Sequence, residues 1–274
     1  MFTYKTFNNI AEEGLSVMAS RNIQDVSENP DGLMLRSHKL VAAEFGKNLS
    51  AIARAGAGIN NIPIEDATDL GVVVFNTPGA NANAVKELVI CGMLLSSRGI
   101  VDGINFAKGL DSNDADALNK MMEAQKKTFV GNELAGKTIG IVGLGAIGSM
   151  LAQACQALGM KLVGFDPHIS IDSAWRLPRE VEKAETLEEL LKKSDYVSLH
   201  VPLVEATKNL INSNNLRYFK SEARLINLSR GGIVNSNDVI QALEDGKLSK
   251  FVTDFPTPEL IARSAKQSDV ILLP

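Results

Sequence analysis

The stretch Thr138-Ile139-Gly140-Ile141-Val142-Gly143-Leu144-Gly145-Ala146-Ile147-Gly148 decides the fold. It reads as an apolar strand running straight into a glycine turn, and SMLAQACQALGM (149–160) continues it as a helix. A G-x-G-x-x-G pattern alone is weak; between a strand and a helix it has the context that a dinucleotide phosphate loop requires. Gly143 allows the tight turn, Gly145 lets a pyrophosphate approach the backbone, and Gly148 lets the helix pack close to the strand. Gly145, Ala146, Ile147 and Gly148 would then offer free N–H groups at a helix N-terminus to the phosphates. Asp166 closes the next strand, GFDP, placed to accept both hydroxyls of the adenosine ribose. A carboxylate there repels a 2′-phosphate, and no Arg or Lys follows closely to neutralise it, so the expected cofactor is NAD rather than NADP.

Outward from this loop, strands are expected at 138–143, 161–165, 196–200, 224–228, 251–254 and 269–273, separated by helical stretches. Six such strands with helical crossovers predict a Rossmann-type doubly wound parallel sheet. Thr186 and Glu189 form a capping-box pattern ahead of ELLKK, and Asp245-Gly246 ends the helix that starts near Asn237. Upstream, strands at 2–6, 32–36, 51–54 and 72–75, with a helix over 10–19, predict a smaller, flavodoxin-like α/β substrate domain. A long helix over 83–97 joins the two, giving expected domains 1–92 and 93–274. The polar stretch GLDSNDADALNK (109–120) is expected to be an irregular surface excursion.

Bulk properties narrow the class. The 274 residues are 45% hydrophobic and 22% charged, with a net charge of -4. That is an ordinary globular composition without the basic face that nucleic acid requires. The longest apolar run, 88–95, is far short of the roughly 20 residues of a membrane span. The N-terminus lacks a signal-peptide pattern, so a cytoplasmic protein is expected. Cys91 and Cys155 lie in helix-like apolar stretches and are expected to be buried free thiols. No Cys/His cluster has metal-ligand spacing, and no metal is expected.

Four further segments accompany GLGAIG: RSHKL (36–40), RAGAGINNIP (54–63), VSLHVPL (197–203) and NLSRGGIVN (227–235). Together, in this order, they resemble the D-2-hydroxyacid dehydrogenases over essentially the whole chain. The resemblance implies that Arg230 holds the substrate carboxylate and 2-oxygen through its planar fork, which Lys cannot copy. It implies Glu259 as the catalytic carboxylate, although Pro258 stands where the family more often carries the acid. Asp254 would accept from the nicotinamide carboxamide, Leu228 would pack at the nicotinamide ring, and His200, Pro202 and Thr207 would line the adenine side. His200 and His168 are not expected to be the base. The first domain would contact substrate through the loop Gly56-Ala57-Gly58, whose N–H groups suit a carboxylate, and through Asn81.

Arg36-Ser37 resembles the branch of the family that acts on 3-phospho-D-glycerate, and Lys126 or Lys127 could reach its phosphate as a point charge. The implied reaction yields 3-phosphohydroxypyruvate with hydride passing to NAD, the first step of serine biosynthesis. Two alternatives stay open: a relative acting on glycerate, hydroxypyruvate or lactate, and an NAD-sensing interaction protein resembling the C-terminal-binding corepressors. Family members are usually homodimers or homotetramers. The family's proton-carrying His directly follows the strand that here reads DVILLP (269–274). None of His38, His168 and His200 lies at a matching position, so a natural chain extending past Pro274 is expected.

Overall fold

The computed structural model describes residues 2–26 and 28–274 and divides the chain into two compact units, Met1–Asn81 and Ala82–Pro274. The first unit runs β1 (Thr3–Phe7), α1 (Glu12–Ser20), β2 (Gln24–Asp25), β3 (Gly32–Leu35), β4 (Ala51–Arg54), α2 (Ile64–Asp69) and β5 (Val73–Phe75). Its five strands are all parallel, in the order β2-β1-β3-β4-β5, which is the flavodoxin-like arrangement. Leu33, Leu35 and Ile52 are buried at its centre with Ala67 and Val72.

The second unit opens with α3 (Ala82–Ser97), α4 (Ile100–Lys108) and α5 (Ala115–Gln125). It continues through β6 (Thr138–Val142), α6 (Ala146–Ala157), β7 (Lys161–Phe165), α7 (Ile171–Trp175), β8 (Val181–Lys183), α8 (Leu187–Lys193) and β9 (Tyr196–Leu199). It closes with α9 (Ser213–Leu216), β10 (Arg224–Asn227), α10 (Ser236–Glu244), β11 (Lys250–Thr253), α11 (Pro258–Ser264) and β12 (Val270–Leu272). The parallel sheet is ordered β12-β11-β10-β9-β6-β7-β8, so the winding reverses between β6 and β9, where ligands bind in doubly wound folds. Strands β9 and β10 are buried along their whole length, including the polar residues Ser198, Arg224 and Asn227. One core covers one face of this sheet through Val197, Leu199, Leu225 and Phe251. On the other face Ile139, Ile141, Ile226 and Val252 pack with Val89 and Met93 of α3 and Leu151 and Cys155 of α6.

The six expected strands of this unit are all present to within one residue at either end. The short edge strands β2 and β8 were not expected. The units divide at Asn81/Ala82, where the sequence suggested 92/93, because α3 packs as a whole into the second core. The stretch 109–120 is less irregular than expected. Asp114 accepts from the Asp116 N–H at 3.0 Å and starts α5, whose ALNKMMEAQ is good helix-forming sequence. The Thr186 hydroxyl accepts from Glu189 N at 3.2 Å, but the Glu189 carboxylate returns to the N–H of Glu185, one residue ahead of the cap. Cys155 is buried, and burial pushes its thiol up to about 12. Cys91 corrects the expectation: it is exposed, on the side of α3 turned away from Val89 and Met93. The single tryptophan, Trp175, ends α7 and is 84% exposed. Among the described residues, no helix is long and apolar enough to cross a membrane, and no group of His, Cys, Asp or Glu could hold a metal ion.

Candidate functional site

In the second unit, β6 ends at Val142 and the chain turns through Gly143 at φ +91, a conformation that L side chains rarely adopt. A side chain there would also strike the His200 carbonyl at 2.6 Å, and one at Gly148 would strike the Gly143 carbonyl at 2.1 Å. Gly145 differs: a Cβ placed on it would meet nothing within 4 Å. Gly145 caps α6 without a side chain. The N–H groups of the first helical turn, Ala146, Ile147 and Gly148, have no intrahelical partners, and the backbone that leads into them at Gly145 borders open space. That is a cradle for a diphosphate.

Asp166, past the end of β7, sits against this loop. One carboxylate oxygen accepts from the Leu144 N–H at 2.8 Å and the other from His168 N–H at 2.9 Å. The acid thus fastens the glycine turn. On the neighbouring strand end, the Thr207 hydroxyl donates to the Pro202 carbonyl at 2.5 Å and accepts from Val204 N–H at 2.9 Å, closing the 202–207 loop.

His200, Leu228 and Asp254 follow the C-terminal ends of adjacent strands β9, β10 and β11. By strand alternation they share the face that carries Tyr196, Ile226 and Val252. His200 bonds Ser198 Oγ through Nε2 at 2.9 Å, while its Nδ1 is buried without a partner. Burial pushes its pKa down to about 4, so the ring is neutral across the physiological range. Asp254 Oδ1 is likewise buried without a partner. Burial raises this carboxyl above its usual value, opposed by its own backbone N–H and by the Arg230 guanidinium. Arg230 is exposed and donates to the Ser229 carbonyl at 2.6 Å. Asn227 Nδ2 holds the Arg230 carbonyl at 2.8 Å and so fixes the turn that carries it. Glu259 lies in the first turn of α11, capped by Thr257 and exposed, with its carboxyl held low by its own backbone N–H and the Thr257 hydroxyl. The open space at Gly145, the unspent N–H groups and the orphaned Asp254 oxygen fit NAD.

Lys126 is not brought to this edge. It lies in a 3-10 turn, Lys126–Phe129, where it pairs with Glu123 on the surface. Phe129 holds that turn to Gly99, and Asn132 N–H donates to the Ser97 carbonyl at 3.0 Å, both at the C-terminal end of α3. That end is anchored at the starts of β9 and β10: Ser97 Oγ lies 2.7 Å from Tyr196 Oη, and Arg224 Nε donates to the Ser96 carbonyl at 3.0 Å. In a parallel sheet the starts of the strands lie opposite Gly143, Leu228 and Asp254. The expectation, drawn from resemblance, that Lys126 or Lys127 reaches the substrate phosphate is corrected: topology carries them to the edge of the sheet opposite Gly143, Leu228 and Asp254.

In the first unit, Arg36 and Ser37 form an exposed turn after β3, and Gly56-Ala57-Gly58 follows β4. Gly56 N–H is spent on the Thr77 hydroxyl at 2.8 Å, and Asn76 Nδ2 holds the Ala57 carbonyl at 2.8 Å. Only the N–H groups of Ala57 and Gly58 donate to no acceptor among the described residues. Asn81 is exposed and immediately precedes α3. Asn8, Arg54 and Asn61, which shape the Arg36 turn, escaped the sequence reading; only the Asn8-Asn9 pair after a strand hinted at a turn.

The second unit therefore has the form of a dinucleotide-binding domain, with Arg230 and Asp254 beyond its strand ends. Residues 103–274 match the family described as D-isomer specific 2-hydroxyacid dehydrogenase, NAD binding domain. The chain is 34% identical over 230 residues to a D-3-phosphoglycerate dehydrogenase of Methanocaldococcus jannaschii, covering 83% of this chain and 41% of that one. It is 35% identical over 252 residues to a hydroxypyruvate reductase of Thermotoga maritima, covering 89% and 76%. Among solved structures it superposes on the TT0316 protein of Thermus thermophilus with a TM-score of 0.80 at 25% identity, covering 100% of this chain and 89% of that one. It also superposes on D-lactate dehydrogenase with NAD+ from Lactobacillus jensenii, with a TM-score of 0.74 at 24% identity over 100% and 89%. The chain belongs to the D-isomer specific 2-hydroxyacid dehydrogenase family, and its cofactor is NAD. It spans less than half the length of the M. jannaschii phosphoglycerate dehydrogenase.

Proposed function

We propose that this protein is an NAD-dependent dehydrogenase that oxidises 3-phospho-D-glycerate to 3-phosphohydroxypyruvate, at the start of serine biosynthesis. The observation that carries the chemistry is the gathering of Arg230, Leu228 and the orphaned Asp254 oxygen at adjacent strand ends. Held by the second unit, NAD would supply the acceptor for the hydride leaving the 2-carbon. Arg230 holds the substrate carboxylate and 2-oxygen, and its charge matches the oxyanion that forms as the 2-hydroxyl loses its proton. The unpartnered Asp254 oxygen accepts the carboxamide N–H and so orients the ring, while Leu228 keeps one side dry. Asp166 and the N–H groups of Ala146, Ile147 and Gly148 bind the ribose and diphosphate, with His200, Pro202 and Thr207 at the adenine side. In the first unit Ala57 and Gly58 offer N–H groups to the carboxylate, Asn81 stands near the substrate, and Arg36 with Ser37 binds the phosphate. His200 is too buried and too weakly basic to carry the proton. The family resemblance assigns that proton to a histidine after the strand β12, supported by Glu259. A cytoplasmic homodimer or homotetramer suits this assignment.

The Thermotoga relative favours a second reading, in which the substrate is hydroxypyruvate and lacks a phosphate. Steady-state reduction of phosphohydroxypyruvate, hydroxypyruvate and pyruvate by the full-length protein with NADH separates the two. A preference for phosphohydroxypyruvate that Arg36→Ala narrows is expected. A preference for hydroxypyruvate selects the second reading, and no turnover with any of the three would point to an NAD-sensing interaction protein. Arg230→Lys keeps the charge and loses the fork, so turnover should fall about 10²-fold or more with NAD affinity nearly intact.

A further inference from the structure

The Arg36-Ser37-His38 turn is held by side chains from two strand ends and from the loop ahead of α2. Asn8, at φ +68 after β1, accepts from Ser37 N–H at 3.0 Å and from His38 N–H at 2.6 Å. Asn61 Nδ2 donates to the Arg36 carbonyl at 3.2 Å and to the His38 carbonyl at 2.7 Å. Arg54 Nε donates to the same Arg36 carbonyl at 3.1 Å. Beyond the turn, the His38 ring stacks on Phe7 at 4.2 Å between centroids, with the planes nearly parallel, and its Nε2 lies 2.9 Å from the Glu44 carboxylate. The other Glu44 oxygen is held by Val41 N–H at 3.0 Å. Two carbonyls and two N–H groups of one exposed turn are thus engaged by three polar side chains, whereas the side chains of Arg36 and Ser37 themselves point outward.

An exposed turn needs no such frame to satisfy its backbone, because water would do so. What the frame adds is a fixed direction for the two side chains. A preorganised cation loses less conformational entropy on binding an anion than a free one does. We infer that Asn8, with Asn61, is a positioning residue that presents Arg36 and Ser37 to the phosphate of the substrate and thereby sets selectivity for phosphorylated over plain 2-oxo acids. The inference rests on the assignment of Arg36 to that phosphate.

Asn8 allows a clean test, because it is exposed and its backbone is left-handed. Asn8→Gly keeps that backbone and removes the acceptor, while Asn8→Asp keeps the acceptor. In the full-length protein, Asn8→Gly should raise KM for phosphohydroxypyruvate about tenfold, the worth of a lost hydrogen bond or two, and leave kcat and the KM for hydroxypyruvate near their starting values. Asn8→Asp should restore the selectivity. Equal losses on both substrates with a lowered Tm, or unchanged selectivity where Arg36→Ala does shift it, would overturn the positioning role alone. Unchanged selectivity in Arg36→Ala would remove the phosphate assignment and this inference with it.

Discussion

His200 links burial to a pH response. Its folded pKa of about 4 lies below the ordinary value of 6.5, so the unfolded chain takes up the proton first as pH falls. The stability this represents is intact above 6.5 and is lost as pH drops toward 4, to a limit of about 3 kcal/mol. Denaturant unfolding at pH 8 and pH 4.5 should therefore show a steeper loss in the natural protein than in His200→Asn, which has nothing to protonate. Parallel losses in the two would mean that another group carries the acid sensitivity. Asp254 runs the other way: its raised carboxyl makes the charged form unfavourable in the fold, a penalty absent below the ordinary 3.8 and present once pH exceeds the raised value. Two of the three buried, unpartnered side-chain atoms among the described residues, His200 Nδ1 and Asp254 Oδ1, flank Leu228 at the strand ends where the cofactor is expected.

At the scale of elements, α3 and α6 lie on one face of the large sheet yet treat their cysteines differently. Cys155 of α6 is fully enclosed, with a thiol pushed to about 12, and Cys91 of α3 is exposed. An aromatic disulfide reagent added to the native protein should titrate one thiol quickly, Cys91→Ser should abolish that phase, and the second should appear only on unfolding. Two fast thiols would contradict the packing of α6. The sequence could not separate these residues, because an apolar neighbourhood says that a helix is buried but leaves its rotation open. Other elements were plainly legible. The glycine loop with Asp166, and the central strands β6, β9 and β10, announce themselves because strands covered on both faces are rich in Val, Ile and Leu. Strands β2 and β8, of two and three residues at sheet edges, leave no such trace. Helix α5 hid behind its own acidic cap, Asp114. Lys126 failed for a topological reason: a run of residues close to the phosphate loop in sequence can end at the opposite side of a parallel sheet. Arg230 and Asp254 were found through resemblance, but that Asp254 has an unsatisfied oxygen only the fold could tell.

For the whole molecule, two of the three apolar cores lie within Ala82–Pro274 and the third within Met1–Asn81. The cofactor cradle, Arg230 and Asp254 belong entirely to the former. Residues 82–274 expressed alone should fold cooperatively and bind NAD within a few-fold of the full-length affinity, as calorimetry would read; a polypeptide that neither melts cooperatively nor binds would refute the division. The choice of optical probe for such work follows from Trp175. The sole indole of the chain stands in water at the end of α7 and lies in no apolar core. Its emission in the native protein should match that of indole in solution and shift little on denaturation, so tryptophan fluorescence would miss unfolding that circular dichroism sees. The same isolation gives it a different use. With no second indole to blur the signal, and with Asp166 only a short crossover upstream, excitation passed from Trp175 to a reduced nicotinamide would report occupancy directly, without any label.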